Sequence, residues 1–220
     1  KIGGAQAIAA MTYGTESINK VHKIFGPGNQ YVTEAKLQAQ NQGVAIDMPA
    51  GPSEVLVIAD HTANAAFVAA DLLSQAEHGP DSQVVLVTNR EDLIAETIRE
   101  LEGQLQLLPR RDMAIEALSN SIAVYFDDLN KAIEFSNQYA PEHLIMSIEN
   151  PHDYKDAITA AGSVFLGHYS PEAVGDYASG TNHTLPTNGW ARSYSGVSVD
   201  SFVKKITFQH LTKKGLEHIA

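Results

Sequence analysis

Cysteine is absent from the 220 residues of this chain. Its absence excludes disulfide bonds, thiolate metal ligands and a catalytic thiol within the sequence. Any metal ion that these residues bind must therefore be held by nitrogen and oxygen atoms, from imidazole, carboxylate or amide side chains.

Basic residues are scarce as well: 15 Lys and Arg stand against 26 Asp and Glu, and the formal net charge is -11. This balance argues against a nucleic-acid partner, since phosphate binding depends on clustered Lys and Arg. No apolar run approaches the roughly 18 to 20 residues that span a bilayer, and no charged start followed by an apolar stretch indicates a signal peptide. We therefore expect a cytoplasmic protein with no membrane contact.

The ends of the chain are also unusual. It begins on Lys1-Ile-Gly-Gly without a Met and closes on Glu217-His-Ile-Ala220 inside a helix-like segment. We expect a fragment of something longer, although a processed or trimmed terminus would look the same. With 44% hydrophobic residues, the chain is long enough for one large domain or two smaller ones.

Short β-branched runs alternate with longer alanine- and leucine-rich segments along most of the chain. This alternation predicts an α/β fold, with crossover helices between the strands of a mostly parallel sheet. The expected strands are Val21 to Phe25, Val55 to Ala59, Gln83 to Thr88, Ile122 to Phe126, His143 to Ile148 and Ser163 to Gly167. The expected helices are Ala5 to Tyr13, Tyr31 to Gln40, Thr62 to Glu77, Arg90 to Leu105, Arg111 to Ser119, Leu129 to Tyr139 and Asp153 to Ala160. Thr62 and Asp128 occupy expected N-cap positions.

Three segments depart from this alternation. From Gly167 to Ser195 the chain is rich in Gly, Ser, Thr and Asn, which predicts a long loop of the kind that is usually functional or disordered. From Phe202 to Ala220 the spacing becomes helical again. The segment Ile46 to Ser53 carries two prolines and a glycine, and we expect it to be the passage between two α/β units.

Polar groups appear abruptly at the end of the helix that is expected to finish at Glu77. Gln75 and His78 are three residues apart, a spacing that stacks side chains on one helical face. An amide oxygen and an imidazole could then reach one metal ion together. The alternative interpretation is a polar helix end that Gly79 and Pro80 terminate.

The turn Phe25-Gly-Pro-Gly-Asn29 follows an expected strand and precedes an expected helix. Its free backbone N–H groups and the helix dipole could hold an anion such as a phosphate. It is not the dinucleotide-binding fingerprint, because Tyr31 stands where the third glycine would be. A tight strand-to-helix turn with no ligand is the alternative.

Pro141-Glu142-His143 follows an expected helix and begins an apolar strand, which leaves two groups suited to proton transfer at the edge of a sheet. An imidazole is the usual general base, and a neighbouring carboxylate can serve in a second step. Adjacent strand residues face opposite ways, so both could reach one substrate only if the backbone turns there. A capping Glu beside a core His is the alternative.

The polar segment supplies a further carboxylate and imidazole, in Gly175-Asp176-Tyr177 and Asn182-His183. Zinc accepts histidine nitrogen and carboxylate oxygen, so Gln75, His78 and Asp176 could form part of one metal site. Glutamine is an uncommon zinc ligand, which makes this interpretation weaker on the residues alone.

Six strings, in this order and over nearly the whole chain, together resemble the histidinol dehydrogenase family. They are Gly3-Gly-Ala-Gln6, Ile24-Phe-Gly-Pro-Gly-Asn29, Ile46-Asp-Met-Pro-Ala-Gly-Pro-Ser-Glu-Val-Leu56, Asp71-Leu-Leu-Ser-Gln-Ala-Glu-His-Gly-Pro-Asp-Ser82, Pro141-Glu-His-Leu144 and Gly175-Asp-Tyr-Ala-Ser-Gly-Thr-Asn-His183.

The resemblance implies an enzyme that oxidises a small molecule, L-histidinol, to L-histidine through the aldehyde histidinal, which is the last step of histidine biosynthesis. Two hydrides would pass in succession to NAD. The resemblance also implies a zinc requirement and an intertwined homodimer whose subunits contain two Rossmann-like units.

Site residues follow from the same resemblance. Gln75, His78 and Asp176 correspond to zinc ligands, and the zinc would orient the substrate through its imidazole and amino nitrogens, so these residues also belong to the substrate site. Ser53 and His143 correspond to substrate contacts, and His183 is expected to line the same pocket.

The proton-transfer and NAD contacts are also implied. His143 would take the hydroxyl proton as the first hydride leaves, and Glu142 would activate the water that attacks the aldehyde. Gln6 and Asn29 correspond to NAD contacts, which would give the Gly-Pro-Gly-Asn turn a role.

The expected organisation has three parts. Residues 1–52 would belong to one Rossmann-like unit that contacts NAD, 53–197 would form the second with the zinc and substrate site, and 198–220 would begin a C-terminal helical tail. The family's fourth zinc ligand is a histidine in a tail that crosses to the partner subunit, which neither His210 nor His218 matches. We therefore expect this segment alone to bind metal poorly and to turn over slowly or not at all.

Two other functions remain open from the sequence. In a zinc-dependent hydrolase, Glu142 would activate a metal-bound water and no nicotinamide would be needed. A catalytically inactive ligand-binding fragment or assembly module is the second alternative.

Overall fold

Two parallel β-sheets of different size form the framework of the computed structural model, which describes residues 1–219. The smaller sheet pairs β1 (Lys23–Ile24) with β2 (Ala45–Ile46). The larger sheet has the strand order β5-β4-β3-β6-β7, and every neighbouring pair is parallel. Its strands are β3 (Glu54–Ala59), β4 (Gln83–Thr88), β5 (Ile122–Tyr125), β6 (His143–Ser147) and β7 (Ser163–Leu166). The expected α/β class with Rossmann-like parallel sheets is confirmed.

Helices connect and cover these strands. The α-helices are α1 (Gly4–Tyr13), α2 (Gln30–Asn41), α3 (Ala65–Ala76), α4 (Glu91–Leu105), α5 (Arg111–Ser119), α6 (Leu129–Tyr139), α7 (Glu172–Tyr177) and α8 (Lys213–Glu217). Short 3-10 helices occur at Pro151–Ala157, Trp190–Arg192 and Val199–Phe202.

The centre of the larger sheet is buried on both faces, as parallel sheets between helix layers are. Along β3, Val55 and Val57 pack in one cluster with residues of α3, α4 and α5, whereas Leu56 and Ile58 pack in another with residues of α6. Successive strand side chains point to opposite faces, so one apolar run serves both cores. Burial of each such side chain contributes roughly 1.5–3 kcal/mol.

A buried ion pair fixes the loops that follow the smaller sheet. The ammonium of Lys36 on α2 contacts the Asp47 carboxylate just after β2, and both side chains are buried. Lys36 also donates to the Gly26 carbonyl at 2.9 Å, and the Gly26 amide donates to Asp47 at 2.8 Å. The turn that follows β1 is therefore tied to the segment that follows β2.

The expected N-cap at Thr62 is wrong. Asn64 caps α3 instead, because its side-chain oxygen accepts a hydrogen bond from the Ala66 amide at 2.9 Å. The amide and hydroxyl of Thr62 donate to the Asp60 carboxylate and close a turn after β3. The other expected cap, Asp128, is confirmed.

Several element boundaries also differ from expectation. Strand β2 was not expected, since two residues are too short to show a period. The helix expected at Asp153 to Ala160 is a 3-10 helix that starts earlier, at Pro151. The loop expected from Gly167 to Ser195 contains α7. Of the helix expected from Phe202 onward, only α8 forms; Val203 to Leu211 has no regular structure, and Ala220 lies outside the described residues.

The smaller sheet lies within the expected unit 1–52 and the larger within 53–197, while the unit boundaries themselves stay a prediction. Among residues 1–219, no helix is both long and apolar enough to cross a membrane.

Candidate active site

A cavity of about 200 Å³ is lined by residues near the strand ends of both sheets. From the smaller sheet, its wall is formed by the segments that follow β1 and β2, at that sheet's carboxyl edge. From the larger sheet, it is formed by residues at the start of β3 and β6, at the amino edge. Seven residues that the sequence selected line this one cavity, namely Ser53, Gln75, His78, Glu142, His143, Asp176 and His183.

His143, the first residue of β6, places an unpartnered imidazole in the cavity. Its side chain is buried, and neither ring nitrogen has a hydrogen-bond partner within the described chain. Burial, which disfavours the charged ring, lowers the pKa of His143 to about 4. His143 is therefore neutral at physiological pH and has a nitrogen lone pair available to accept a proton.

Glu142 is buried next to this ring, with its Oε2 3.8 Å from His143 Nδ1. Burial and then the nearby Glu54 carboxyl raise the pKa of Glu142 to about 8. Ala140, at the end of α6, adopts a left-handed backbone conformation (φ 57°), and Glu142 lies in the bend that follows, before β6 begins. This is the backbone turn that lets adjacent Glu142 and His143 line the same cavity.

The close approach of β7 depends on a glycine. A Cβ at Gly162 would lie 2.6 Å from the Glu142 carbonyl oxygen, far inside normal contact distance. The Gly162 amide donates to the Pro141 carbonyl at 2.9 Å, and the Ser163 amide donates to the Glu142 carbonyl at 2.9 Å. These bonds hold the bend in place, and a larger residue at 162 would displace it.

Gln75 and His78 both reach the cavity, but not from one helical face as expected. Helix α3 ends at Ala76, so Gln75 lies in its last turn and His78 in the turn that follows. The amide nitrogen and oxygen of Gln75 are buried without hydrogen-bond partners. His78 Nδ1 is 2.8 Å from the Ser74 carbonyl, which can only accept, so Nδ1 carries the hydrogen and Nε2 is left with a free lone pair.

Asp176 belongs to α7, and its expected position in an irregular loop is wrong. Its Oδ1 is 3.4 Å from Nδ1 of His183, whose side chain is 69% exposed at the mouth of the cavity. The helical turn of α7 carries Asp176 towards the end of α3, where Gln75 and His78 lie. Residues separated by about 100 positions in the chain are thereby brought to one cavity.

These side chains offer nitrogen and oxygen donors of the kinds that a zinc ion accepts. Gln75 offers an amide oxygen that nothing in the described chain satisfies, His78 a free imidazole nitrogen, and Asp176 a carboxylate. Within residues 1–219, no three His, Asp or Glu side chains are arranged to hold a metal ion. The candidate set contains only two such residues and depends on the glutamine for its third donor.

Glu172 is a cavity residue that the sequence analysis missed. It is the first residue of α7, is buried, and accepts a hydrogen bond from the Ser74 hydroxyl at 3.4 Å. Burial raises its pKa to about 7, and its Oε1 is 4.0 Å from His143 Nδ1. No pattern of residues around Pro171-Glu172 distinguishes this acid from one on the surface.

The two residues expected to contact NAD lie outside this cavity. Gln6 is exposed on α1, and the Asn29 side chain caps α2 by accepting hydrogen bonds from the Tyr31 and Val32 amides. The turn before Asn29 does reach the cavity, through Gly26, Pro27 and Gly28. A Cβ at Gly28 would lie 2.5 Å from the Val32 side chain, so this close approach of the turn to α2 requires glycine.

The fold and the cavity define a Rossmann-like α/β protein with a buried acid–base pair at a polar pocket. A family model, histidinol dehydrogenase, matches residues 1–220. The chain belongs to the histidinol dehydrogenase family, and the resemblance carried by its six strings is confirmed.

Relatives and solved structures agree with this assignment. The chain is 60% identical over 219 residues to the histidinol dehydrogenase of Bacteroides thetaiotaomicron and 58% identical over 221 residues to that of Aliivibrio fischeri, and all of the chain is covered. The crystal structure of histidinol dehydrogenase from Elizabethkingia anophelis, 67% identical, superposes on the whole chain with a TM-score of 0.96. The chain spans about half the length of these relatives, 51%, 50% and 51% respectively.

A more distant structure shows the fold alone. An acetylating aldehyde dehydrogenase from Geobacillus thermoglucosidasius is 15% identical, with a TM-score of 0.57 over 94% of this chain and 60% of its own. The arrangement of parallel sheets and helices is therefore shared well beyond the family.

Proposed function

We propose that the protein containing this chain oxidises L-histidinol to L-histidine through histidinal, with two successive hydride transfers to NAD. The observation that carries the proposal is the convergence on one cavity of seven residues that were named from the sequence and its resemblance. Family membership supports the same reaction. Chemically, alcohol, water and two NAD⁺ yield a carboxylate, two NADH and three protons.

In the first half of the reaction, His143 accepts the proton of the alcohol as the hydride departs. Its ring is neutral and has no competing hydrogen-bond partner in the described chain, so a substrate hydroxyl can occupy one nitrogen. Burial of the ring excludes water from that nitrogen and favours transfer from the substrate itself.

In the second half, Glu142 takes a proton from the water that adds to the aldehyde carbon. The resulting hydrate then loses its second hydride. A glutamate with a pKa of about 8 is a stronger base than an ordinary glutamate, and it still has an ionised fraction near neutral pH. Glu142 Oε2 and His143 Nδ1 are 3.8 Å apart, a separation that would let both proton acceptors act on one substrate carbon.

Gln75, His78 and Asp176 would hold a zinc ion, with Gln6 and Asn29 as NAD contacts outside the cavity. Bound zinc would orient the substrate's imidazole and amino nitrogens. Three donors are one short of the usual tetrahedral set. His78 is already oriented for this task, because its bond to Ser74 fixes the ring and leaves Nε2 free.

We further propose an intertwined homodimer as the working form. The segment beyond β7 supports it, because Val199, Ile206 and Phe208 are 82%, 61% and 92% exposed. Apolar side chains this exposed are typical of surfaces that another chain covers. The absence of nucleic-acid partners and the cytoplasmic location stay predictions.

The reaction is tested with the full-length protein, zinc, histidinol and NAD. We expect NADH absorbance to rise by two equivalents per histidinol consumed. A zinc-dependent hydrolase would give no NADH, and an inactive binding module would bind histidinol, by calorimetry, without turnover. Either of those results contradicts the proposal.

A further inference from the structure

Glu54 is a buried acid that the proposed reaction does not use. It is the first residue of β3, only 5% exposed, and its Oε1 accepts a hydrogen bond from the Asn188 amide at 2.8 Å. The groups that favour its ionised form are backbone amides, of Asn188, Gly189 and Glu142, and no cationic side chain is among them. Such a charge is costly to bury, so its position needs a reason.

Glu54 is joined to Glu142 across the edge of the sheet. Strands β3 and β6 run parallel with Val55 opposite His143, which sets the two glutamates side by side just before that pair. The Glu54 amide donates to Glu142 Oε2 at 3.3 Å, and the Glu142 amide faces the Glu54 carboxyl. Each residue's backbone thus contacts the other's side chain, although 88 positions separate them in sequence.

The two carboxyls open to different cavities. Glu142 lines the substrate cavity, whereas Glu54 lines a second, polar cavity of about 430 Å³. Ser53 lines both and forms the wall between them. A substrate that fills the first cavity therefore does not occupy the side on which Glu54 lies.

We propose that Glu54 is a positioning residue for Glu142: its carboxyl, which lies across the sheet edge from Glu142, acts on the Glu142 carboxyl from the side opposite the substrate. The proposal rests on the role given to Glu142 in the proposed function. Two carboxylates held together away from water cannot both ionise freely, so ionised Glu54 favours the protonated form of Glu142. Burial first, and this neighbour second, raise the pKa of Glu142.

Other titratable and charged groups face the pair from the neighbouring elements. Glu172 and His143 face Glu142 from α7 and β6. Tyr139, at the end of α6, faces Glu54, and the nearby carboxylate raises the pKa of that phenol after burial does. Asp81 and Arg192 line the second cavity.

The test measures the protonation of the Glu142 carboxyl directly, in the full-length protein without histidinol or NAD. Side-chain ¹³C-labelled glutamate is titrated by NMR, and the two signals are assigned by their loss in Glu142→Gln and Glu54→Gln. In Glu54→Gln we expect the Glu142 midpoint to fall by about one pH unit or more. The Glu54→Asp variant keeps the charge, so its Glu142 midpoint should stay close to the raised wild-type value.

Asp71→Asn is the matched control. Asp71 is another buried carboxyl, on α3, whose pKa burial raises to about 7, but it contributes no charge effect on Glu142. Its loss should leave the Glu142 midpoint in place. An unchanged midpoint in Glu54→Gln, or an equal shift in Asp71→Asn, would overturn the proposal.

The wild-type protein provides a second test should the variants not fold. Coupled acids titrate in shared steps, so the Glu54 and Glu142 signals should each show two inflections at the same two pH values. Two independent single-step curves would overturn the proposal. In kinetics, Glu54→Gln should move the acid limb of kcat to lower pH with little change in KM. Wild-type protein that makes no NADH from histidinol would refute the proposed function, while the titration would still decide the role of Glu54.

Discussion

The two edges of the five-stranded sheet carry similar side chains and differ in whether those side chains have partners. At the carboxyl edge, Asp60 accepts hydrogen bonds from the Thr62 amide and hydroxyl and from the Glu149 amide. Because the Thr62 hydrogen goes to Asp60, His168 Nε2 must donate to Thr62, which leaves Nδ1 to accept from the Ser147 hydroxyl at 2.9 Å. Every member of this network is satisfied.

At the amino edge two buried polar side chains lack hydrogen-bond partners within the described chain. His143 has two unpartnered nitrogens, and Gln75, beside it in the cavity, has an unpartnered amide. Glu54, Glu142 and Glu172 are buried acids, with pKa values raised to about 7, 8 and 7 mainly by burial. Leaving the Gln75 amide and the His143 ring unsatisfied costs about 1–3 kcal/mol each, a cost that a bound ligand or metal can remove.

The difference shows where to look for function in this fold. Ligands of open α/β sheets usually bind at the carboxyl ends of the strands, at the switch point of the strand order, which here lies between β3 and β6. In the larger sheet that position is filled by a closed network, and the cavity lies at the opposite edge. The smaller sheet follows the rule, because its carboxyl edge faces the cavity.

The largest expected effect concerns catalysis at the amino edge. Glu142→Gln should slow the oxidation of histidinal by about 10²–10⁴-fold, since general bases contribute that much. Oxidation of the alcohol to the aldehyde, which uses His143, should be much less affected. Stopped-flow NADH production from each substrate separates the two steps. Asp60→Asn, at the carboxyl edge, is the control, and an equal loss of activity there would contradict the contrast between the edges.

Metal affinity comes next. Gln75→Leu should lower zinc affinity by more than about 100-fold, since it removes one donor oxygen. It should also raise the stability of the metal-free protein by about 1 kcal/mol, because a buried, unpartnered amide is replaced by an apolar group of similar size. Competition with a chelator measures the first effect and urea unfolding the second. A destabilised metal-free variant would show that Gln75 is satisfied in the native protein.

At the carboxyl edge, a substitution should change the stability of the fold and not the affinity for zinc. Asp60→Ala removes the acceptor of three hydrogen bonds and leaves buried donors near Thr62 unpaired, so we expect a loss of about 2–4 kcal/mol. Hydrogen bonds from Thr62 and Glu149 outweigh burial and hold the pKa of Asp60 below its usual value, so this anion is already satisfied. Urea unfolding measures the loss, and zinc affinity of the folded variant should not change.

The smallest expected effect is on the pH dependence of stability. The folded-state pKa values of Glu142, Glu172 and Asp71 lie above the ordinary range of carboxyls. Their contribution to stability is complete below the unfolded pKa, which is 4.5 for the glutamates and 3.8 for Asp71, and is lost as the pH rises through about 7 to 8. The melting temperature of the metal-free protein should therefore fall by about 2–4 °C between pH 6.5 and 8.5.

Between pH 6.5 and 8.5, the titration of His143 does not oppose this effect on stability. Burial lowers the pKa of His143 to about 4, so its contribution is present above the unfolded value of about 6.5 and is lost only as the pH falls. Calorimetric scans at several pH values measure how the melting temperature changes with pH. Glu142→Gln should make that change smaller. A melting temperature that rises with pH would contradict the buried-acid interpretation.

The sequence predicted most of the framework because apolar runs and helix signals are local. Strand β4 and helices α5 and α6 have the expected bounds, and Asp128 caps α6 as expected. A strand of two residues, such as β2, is too short to show the alternation of apolar and polar residues by which strands are predicted. The prediction of an N-cap at Thr62 was wrong because the Thr62 hydroxyl donates to the nearby Asp60 carboxylate instead, and the N-cap pattern takes no account of such a partner.

For the site, the sequence pattern indicated candidate residues by their chemistry, and only the resemblance to the family grouped them into one site. Gln75, Glu142 and His143 each had an ordinary structural alternative on local grounds alone. Glu54 and Glu172 were missed because nothing in a one-dimensional pattern distinguishes a buried acid from a surface one.

The sequence by itself determined the α/β class, the residue chemistry and, through its six strings, the family, since these depend on local order. Only the tertiary structure decided which edge of the sheet is open, because that depends on which polar groups find partners. It also decided that Glu54 lies against Glu142. Parallel pairing of β3 with β6 makes neighbours of residues that are far apart in the chain, and burial then makes the proton affinity of each depend on the other.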